Sequence, residues 1–325
     1  MKIRTAGIAV LPWLIIAGLL YAGMFIKPKE MGKSIDTPPI EHRDSFYDVA
    51  LPIPNVIWAV GTNGKIVRSD DTGKTWLAQR SQVAINLQSI AVWDDRRAVA
   101  VGNEGVTIIT RDGGNSWSEV KVPLSSVSNK LIRVRTAGDG IAWAVGEMGT
   151  VLHTSDFGAT WTRASQEQDT AWNDIGMIGR KGWIVGEFGK IMITDDAGKT
   201  WAAVNSPVKT SLMSVAFNDE SNGIAVGLEG AVLTTADGGK SWKESPRVTT
   251  EHLFDVISDR TTWWVVGDKG VLLSGDMASG TWKRSQISPR NLSWNTKVQK
   301  MGDRLYFAGA SLGMLEHSNW SVFGN

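Results

Sequence analysis

The sequence predicts an all-β chain, a seven-bladed β-propeller with four-stranded blades, preceded by one N-terminal transmembrane helix. Three observations carry this. A glycine closing a WAVG-like segment recurs at Gly61, Gly102, Gly146, Gly186, Gly227, Gly267 and Gly309, at intervals of 41, 44, 40, 41, 40 and 42 residues. A tryptophan follows each by about fifteen residues, at Trp76, Trp117, Trp161, Trp201, Trp242, Trp282 and Trp320. Ahead of the first repeat, residues 6–26 read AGIAVLPWLIIAGLLYAGMFI, without a charge.

That apolar run is long enough as a helix to cross a hydrocarbon core of about 30 Å. A cleaved signal peptide is the competing possibility, but Tyr21-Ala22-Gly23 matches an A-x-A site poorly. The expectation is an uncleaved single-pass anchor in an inner membrane, with residues 1–5 as a cytoplasmic tail and the body in the periplasm. Residues 27–45, holding Pro28, Pro38 and Pro39, read as an extended linker, and 46–325 as the propeller.

Each repeat divides into four short β segments, as in the fifth: LMSVAF (212–217), GIAVG (223–227), GAVLTT (230–235) and SWKES (241–245). The third segments, such as GVTIIT and GTVLHT, are nearly continuous in apolar residues, as expected of strands covered on both faces by neighbouring blades. A solenoid β-helix has shorter coils and is disfavoured.

The turn before each marker tryptophan is an Asp box, S/T-x-D-x-G-x-T/S-W, as in SDDTGKTW (69–76) and TDDAGKTW (194–201). Its aspartates (Asp71, Asp112, Asp156, Asp196, Asp237) can accept backbone N–H groups, its glycines permit positive φ, and its tryptophans (Trp76, Trp117, Trp161, Trp201, Trp242) bury a ring beside the hairpin. These are structural roles. The sixth box is stretched to SGDMASGTW (274–282) and the seventh keeps only HSNW (317–320).

Composition closes off several functions. With 34 Lys+Arg against 33 Asp+Glu the net charge is +1, so no basic field gathers nucleic acid. The absence of cysteine removes thiolate nucleophiles and Cys-ligated metals. Asp boxes occur in sialidases, whose chemistry needs a tyrosine nucleophile, a carboxylate and an arginine cluster. Only Tyr47 and Tyr306 lie in the body, and no F-R-I-P-like segment opens it. The GKT and GKS triplets lack the glycine five residues earlier that a P-loop needs, since Arg68, Ile193 and Thr234 stand there. His42, His153, His252 and His317 show no metal-ligand spacing. No catalytic residue, cofactor or metal is expected.

Two surfaces remain. Twelve or thirteen residues before each repeat glycine stand Asp48, Ser89, Arg133, Asp174, Ser214 and Asp255, each followed by an apolar residue, and strand alternation adds Arg135 beside Arg133. The polar set is expected to face the central channel, as a binding site or as a self-neutralising plug. The other candidate is a rim at the turns between second and third strands, where Glu104, Glu147, Glu187, Glu229 and Asp268 recur.

The strings WAVGTNGKIVRSDDTGKTW (58–76) and WAVGEMGTVLHTSDFGATW (143–161) resemble the photosystem II stability and assembly factor-like family of Asp-box (BNR-repeat) propellers. The resemblance spans residues 46 to about 320. It implies a non-catalytic propeller on the non-cytoplasmic side of a membrane, docking on an integral membrane-protein complex. Since lipobox cysteine and transit peptide are both missing, the leading expectation is an accessory or assembly subunit of an RND-superfamily transporter. A photosystem II assembly factor and a glycan-binding or sialidase-like propeller are the alternatives.

Overall fold

The computed structural model describes residues 4–25, 37–277 and 280–324. It divides into two units, Met1–Pro38 and Pro39–Asn325. In the first, one α-helix runs Arg4–Phe25 with Pro12 inside it. Among the described residues no helix is long and apolar enough to cross a membrane. Residues 27–36 of the expected linker lie outside the described residues.

The second unit is the propeller. Seven four-stranded antiparallel sheets each consist of consecutive segments, from Phe46–Ala50, Ile57–Gly61, Ile66–Ser69 and Leu77–Gln79 in blade one to Asn295–Met301, Arg304–Gly309, Gly313–Glu316 and Asn319–Val322 in blade seven. In blade five the strands are Leu212–Phe217, Gly223–Gly227, Val232–Thr235 and Lys243–Glu244. The third begins two residues later than the sequence indicates, because Gly230 closes the preceding turn at φ +74°. The most completely covered strands are the second ones, with every residue buried in blades one, two, three and five.

The repeat glycine has a steric cause. A Cβ on Gly61 would lie 2.0 Å from the Ser45 carbonyl oxygen, and one on Gly102 would lie 2.2 Å from that of Asn86. The backbone there is extended, so close approach of the inner strand, not a left-handed φ, excludes a side chain. Each inner strand also carries one extra residue at the same place: Tyr47, Gln88, Ile132, Asn173, Met213, Phe254 or Thr296. Such a bulge sharpens the local twist of the strand beside the axis.

Inner strands touch in sequence around the ring, and that of blade seven touches that of blade one. Among the described residues no strand is exchanged to close the circle, and side chains do it. Thr296 Oγ1 donates to the Tyr47 carbonyl at 3.0 Å, Tyr47 stacks on Trp294 at 6.0 Å, and Phe323 packs on the first box tryptophan, Trp76, at 5.1 Å. Ile40, assigned by sequence to the linker, is buried in this same cluster. The chain therefore joins the propeller from Pro39, ahead of residue 46.

Candidate functional site

The axis residues form a relay from blade to blade. Asp48 accepts the Ile90 N–H at 3.1 Å, Ser89 Oγ that of Val134 at 3.1 Å, Asp174 that of Val215 at 3.0 Å, Ser214 Oγ that of Val256 at 3.3 Å and Asp255 that of Val298 at 3.1 Å. Five of the seven inner strands thus offer one buried N–H to the preceding blade's axis side chain, which must be an acceptor. Two joints are preceded by a cation, Arg133 or Lys297, with nothing to accept. There the following blade supplies its own carboxylate: Ile175 N–H goes to Asp174 at 2.9 Å and Val49 N–H to Asp48 at 2.8 Å. The serines close lateral links, Ser89 Oγ donating to Asp48 and Ser214 Oγ donating to Asp174 at 2.7 Å.

The expected set does converge, with one addition. Lys297, twelve residues before Gly309 as Asp255 is before Gly267, is the seventh axis residue. The same register that selected the other six would have selected it. Its Nζ lies 3.1 Å from Asp255 Oδ1. Arg135 holds Asp174 through Nε at 2.7 Å and Nη2 at 2.5 Å. Arg133 reaches a carboxylate oxygen of Asp48, Asp174 and Asp255 at 3.8, 3.7 and 3.8 Å. Its Nε has no hydrogen-bond partner.

Three carboxylates therefore face three cations. Burial raises the Asp174 pKa, but Arg135 and Arg133 outweigh it and hold the carboxyl well below its usual range. Burial pushes Lys297 below the usual lysine range, opposed by Asp255. Arg133 is 6% exposed, so it cannot grip the carboxylate of a soluble substrate. The axis is filled by a cluster in which three carboxylates balance three cations, with only the Arg133 Nε left without a hydrogen bond.

Arg135 is the most exposed member of this cluster, its side chain 27% exposed. It lines two depressions at the mouth, of about 510 and 290 Å³. Residues two positions after the axis set there are Ala50, Ala91, Arg135, Gly176, Ala216, Ile257 and Gln299, and the four small ones widen the mouth.

The rim acids do not form one ring. Glu147, Glu187 and Asp268 begin their turns and are half-buried, whereas Glu104 and Glu229 take the exposed second position at φ +59° and +57°. Glu147 accepts the Lys130 N–H at 3.1 Å and Glu187 that of Ala171 at 2.8 Å, so these two fasten the start of their own inner strands. Among the described residues no group of three His, Asp or Glu side chains could hold a metal ion.

The Asp boxes are built alike. Asp71 accepts the Thr75 N–H at 2.8 Å and its hydroxyl at 2.6 Å, and Asp112, Asp156, Asp196 and Asp237 repeat the pattern. Trp76, Trp161 and Trp242 donate their indole N–H to the box glycine carbonyl at 3.1, 3.0 and 3.1 Å. Trp117 donates to Gln79 instead, at 3.1 Å, while the buried Trp201 indole N–H has no partner.

The model of the family described as photosynthesis system II assembly factor YCF48 matches residues 33–110, 83–169 and 199–306. The chain belongs to that family. Its YCF48-type relatives include the Arabidopsis thaliana chloroplast photosystem II stability/assembly factor HCF136, 26% identical over 100 residues, and the Synechococcus photosystem II assembly lipoprotein Ycf48, 26% identical over 111 residues. These matches take in 30% and 33% of the chain, and span only 24% and 33% of the two relatives. A structure of YCF48 bound to D1 peptide aligns with a TM-score of 0.68 at 19% identity, covering 85% of this chain and 93% of that one. YCF48 from Cyanidioschyzon merolae gives 0.68 at 17% identity, over 83% and 94%. At these identities the likeness is one of fold.

The expectation of an RND-transporter accessory subunit, with such a transporter as partner, is overturned. The matching family model and both curated YCF48-type relatives are photosystem II assembly factors.

Proposed function

We propose that this chain is an assembly factor of the photosystem II type, a non-catalytic propeller that binds an extended segment of a membrane protein. The observation that carries this is the family match across most of the propeller, joined to a relative of the same fold with a D1 peptide bound. The mouth around Arg135 is the docking point. It offers small-residue walls and a guanidinium already oriented by Asp174, so little ordering is required on binding. The chain acts at a membrane, held by the segment 6–26 with the propeller on the non-cytoplasmic side. Trp13, Leu19 and Tyr21 of the N-terminal helix are 71%, 69% and 63% exposed, an apolar surface suited to lipid.

Purification of the tagged full chain in mild detergent from a host that makes photosystem II tests the role. Assembly intermediates containing D1 should copurify, and their absence would overturn it. Calorimetry with a D1 peptide tests the place: Ala91→Glu and Ala216→Glu should each weaken binding at least about tenfold, through lost space at the mouth. Unchanged affinity would move the site elsewhere and leave the role standing.

A further inference from the structure

The exposed large apolar side chains of the propeller gather on one of its two faces. In each blade the inner strand starts, the second strand ends, the third starts and the fourth ends at the same edge, as the pairings of Trp172 with Gly186 and of Ile191 with Val204 show in blade four. The second-to-third-strand turns and the connectors between blades therefore share a face. Phe188 stands on it in the turn of blade four, Leu124 and Val127 in the connector from blade two to three, and Leu292 in that from six to seven. Each is between 59% and 72% exposed, and among the described propeller residues only Leu77 matches them elsewhere.

The connector that carries Val127 belongs to the longest repeat interval, 44 residues, and it is pinned. Ser125 N–H donates to Asn129 Oδ1 at 2.6 Å and Asn129 Nδ2 donates to the Ser125 carbonyl at 2.9 Å, which holds Val127 out to solvent. The chain enters the propeller on this same face, where Lys65 Nζ donates to the Pro39 carbonyl at 3.2 Å. Beside that entry the half-buried Tyr47 stacks on the half-buried Trp294, two residues from Leu292, and such rings favour the boundary between lipid and water. The exposed apolar points stand over the joint of blades two and three, over blade four and over the joint of six and seven, so together they define a plane. Exposed Lys121, Lys209 and Arg290 share the face with exposed Glu104, Asp169 and Glu229, so what it offers is apolar contact and not a field of one sign. The Arg135 mouth opens at the opposite end of the inner strands, beside the pairing of Thr136 with Ala142.

We propose that this face rests on the surface of the membrane, with Val127, Phe188 and Leu292 set into the lipid interface and the Arg135 mouth turned away from it. Each of these side chains leaves water there without giving up a hydrogen bond. The proposal rests on the reading that segment 6–26 holds the chain at a membrane, and adds which way the propeller then lies. It also limits what reaches the mouth: a segment that extends past the rim of the disc, not a loop flush with the bilayer.

The chain has no cysteine, so one introduced thiol takes one label. The full chain, reconstituted in phosphatidylcholine vesicles, is labelled with a nitrobenzoxadiazole dye at Ser126→Cys, beside Val127, or at Lys240→Cys, in an Asp box on the opposite face; both positions are exposed. Emission from Ser126→Cys should shift to the blue and be quenched by spin-labelled phospholipid, equally at low and high salt. Emission from Lys240→Cys should do neither. Adding Val127→Ser, Phe188→Ser and Leu292→Ser should abolish the quenching while leaving the melting temperature unchanged, because all three side chains are exposed. Equal quenching at both positions, or quenching at Ser126→Cys that survives the three serines, overturns the proposal. No quenching at either position, in a chain that floats with the vesicles, overturns it and leaves the anchor standing; a dimer dissolved by the three serines would then give the face to a second copy. A chain that does not float with the vesicles overturns the anchor and the proposal together.

Discussion

Lys297 Nζ stands 3.1 Å from Asp255 Oδ1 across the joint of blades six and seven, with both side chains buried. Asp255 also accepts the Val298 N–H and the Ser214 hydroxyl, so Lys297 neutralises a carboxylate that two inner strands are built around.

Removing that cation takes away the nearest positive charge to Asp255 and leaves three buried carboxylates facing two arginines. Lys297→Met should destabilise the propeller by about 3–5 kcal/mol, and Lys297→Met with Asp255→Asn by less than the single change. Denaturant midpoints of the single and double variants, at unchanged slope, check this. A single variant as stable as the parent would remove the pair from the account.

Ser214 joins three blades through Asp174, Asp255 and Val256. Ser214→Ala should cost about 1–3 kcal/mol, because the Val256 N–H loses its acceptor inside the protein. Amide exchange should quicken at Val256 more than at Val298, whose acceptor is Asp255.

Acid should unfold the protein through the Asp boxes. Hydrogen bonds from Thr75, Ser116, Thr200 and Ser241 lower the carboxyls of Asp71, Asp112, Asp196 and Asp237 from 3.8 to about 2. A depressed native pKa means that the unfolded chain takes up protons first, so stability is fully present above pH about 4 and falls as pH drops towards about 2. Melting temperatures should decline across that window, and more shallowly in Asp196→Asn. A flat profile from pH 4 to 2 would contradict this.

The ring closes on Phe323, which packs on Trp76 and lies near Tyr306. Phe323→Ala should cost about 2 kcal/mol, below the range for full burial because the ring is half-buried. Hydrogen exchange should rise in blades one and seven before the others. Uniform loosening would show that closure is distributed around the ring.

Much of the architecture was legible because its markers are local. The seven glycines answer a contact with the start of their own blade's inner strand, and the box aspartates bond within five residues, so each leaves its trace at a fixed spacing. The rim acids were harder to read. Glu147 and Glu229 look equivalent in sequence, but they occupy different turn positions, one half-buried on a backbone N–H and the other exposed. Lys297 was legible through Gly309 but lies in the unit whose Asp box has decayed.

By itself the sequence determined the number of blades, the turn chemistry and the polar character of the axis. Tertiary structure decided what those axis residues do. Whether a position needs Asp or can hold Ser depends on whether the neighbour some forty residues earlier is an acceptor or a cation, as Arg133 is before Asp174. The tertiary structure also decided that Arg133 is sealed while Arg135 reaches the mouth. Those outcomes arise from contacts between blades, which no spacing within one repeat records.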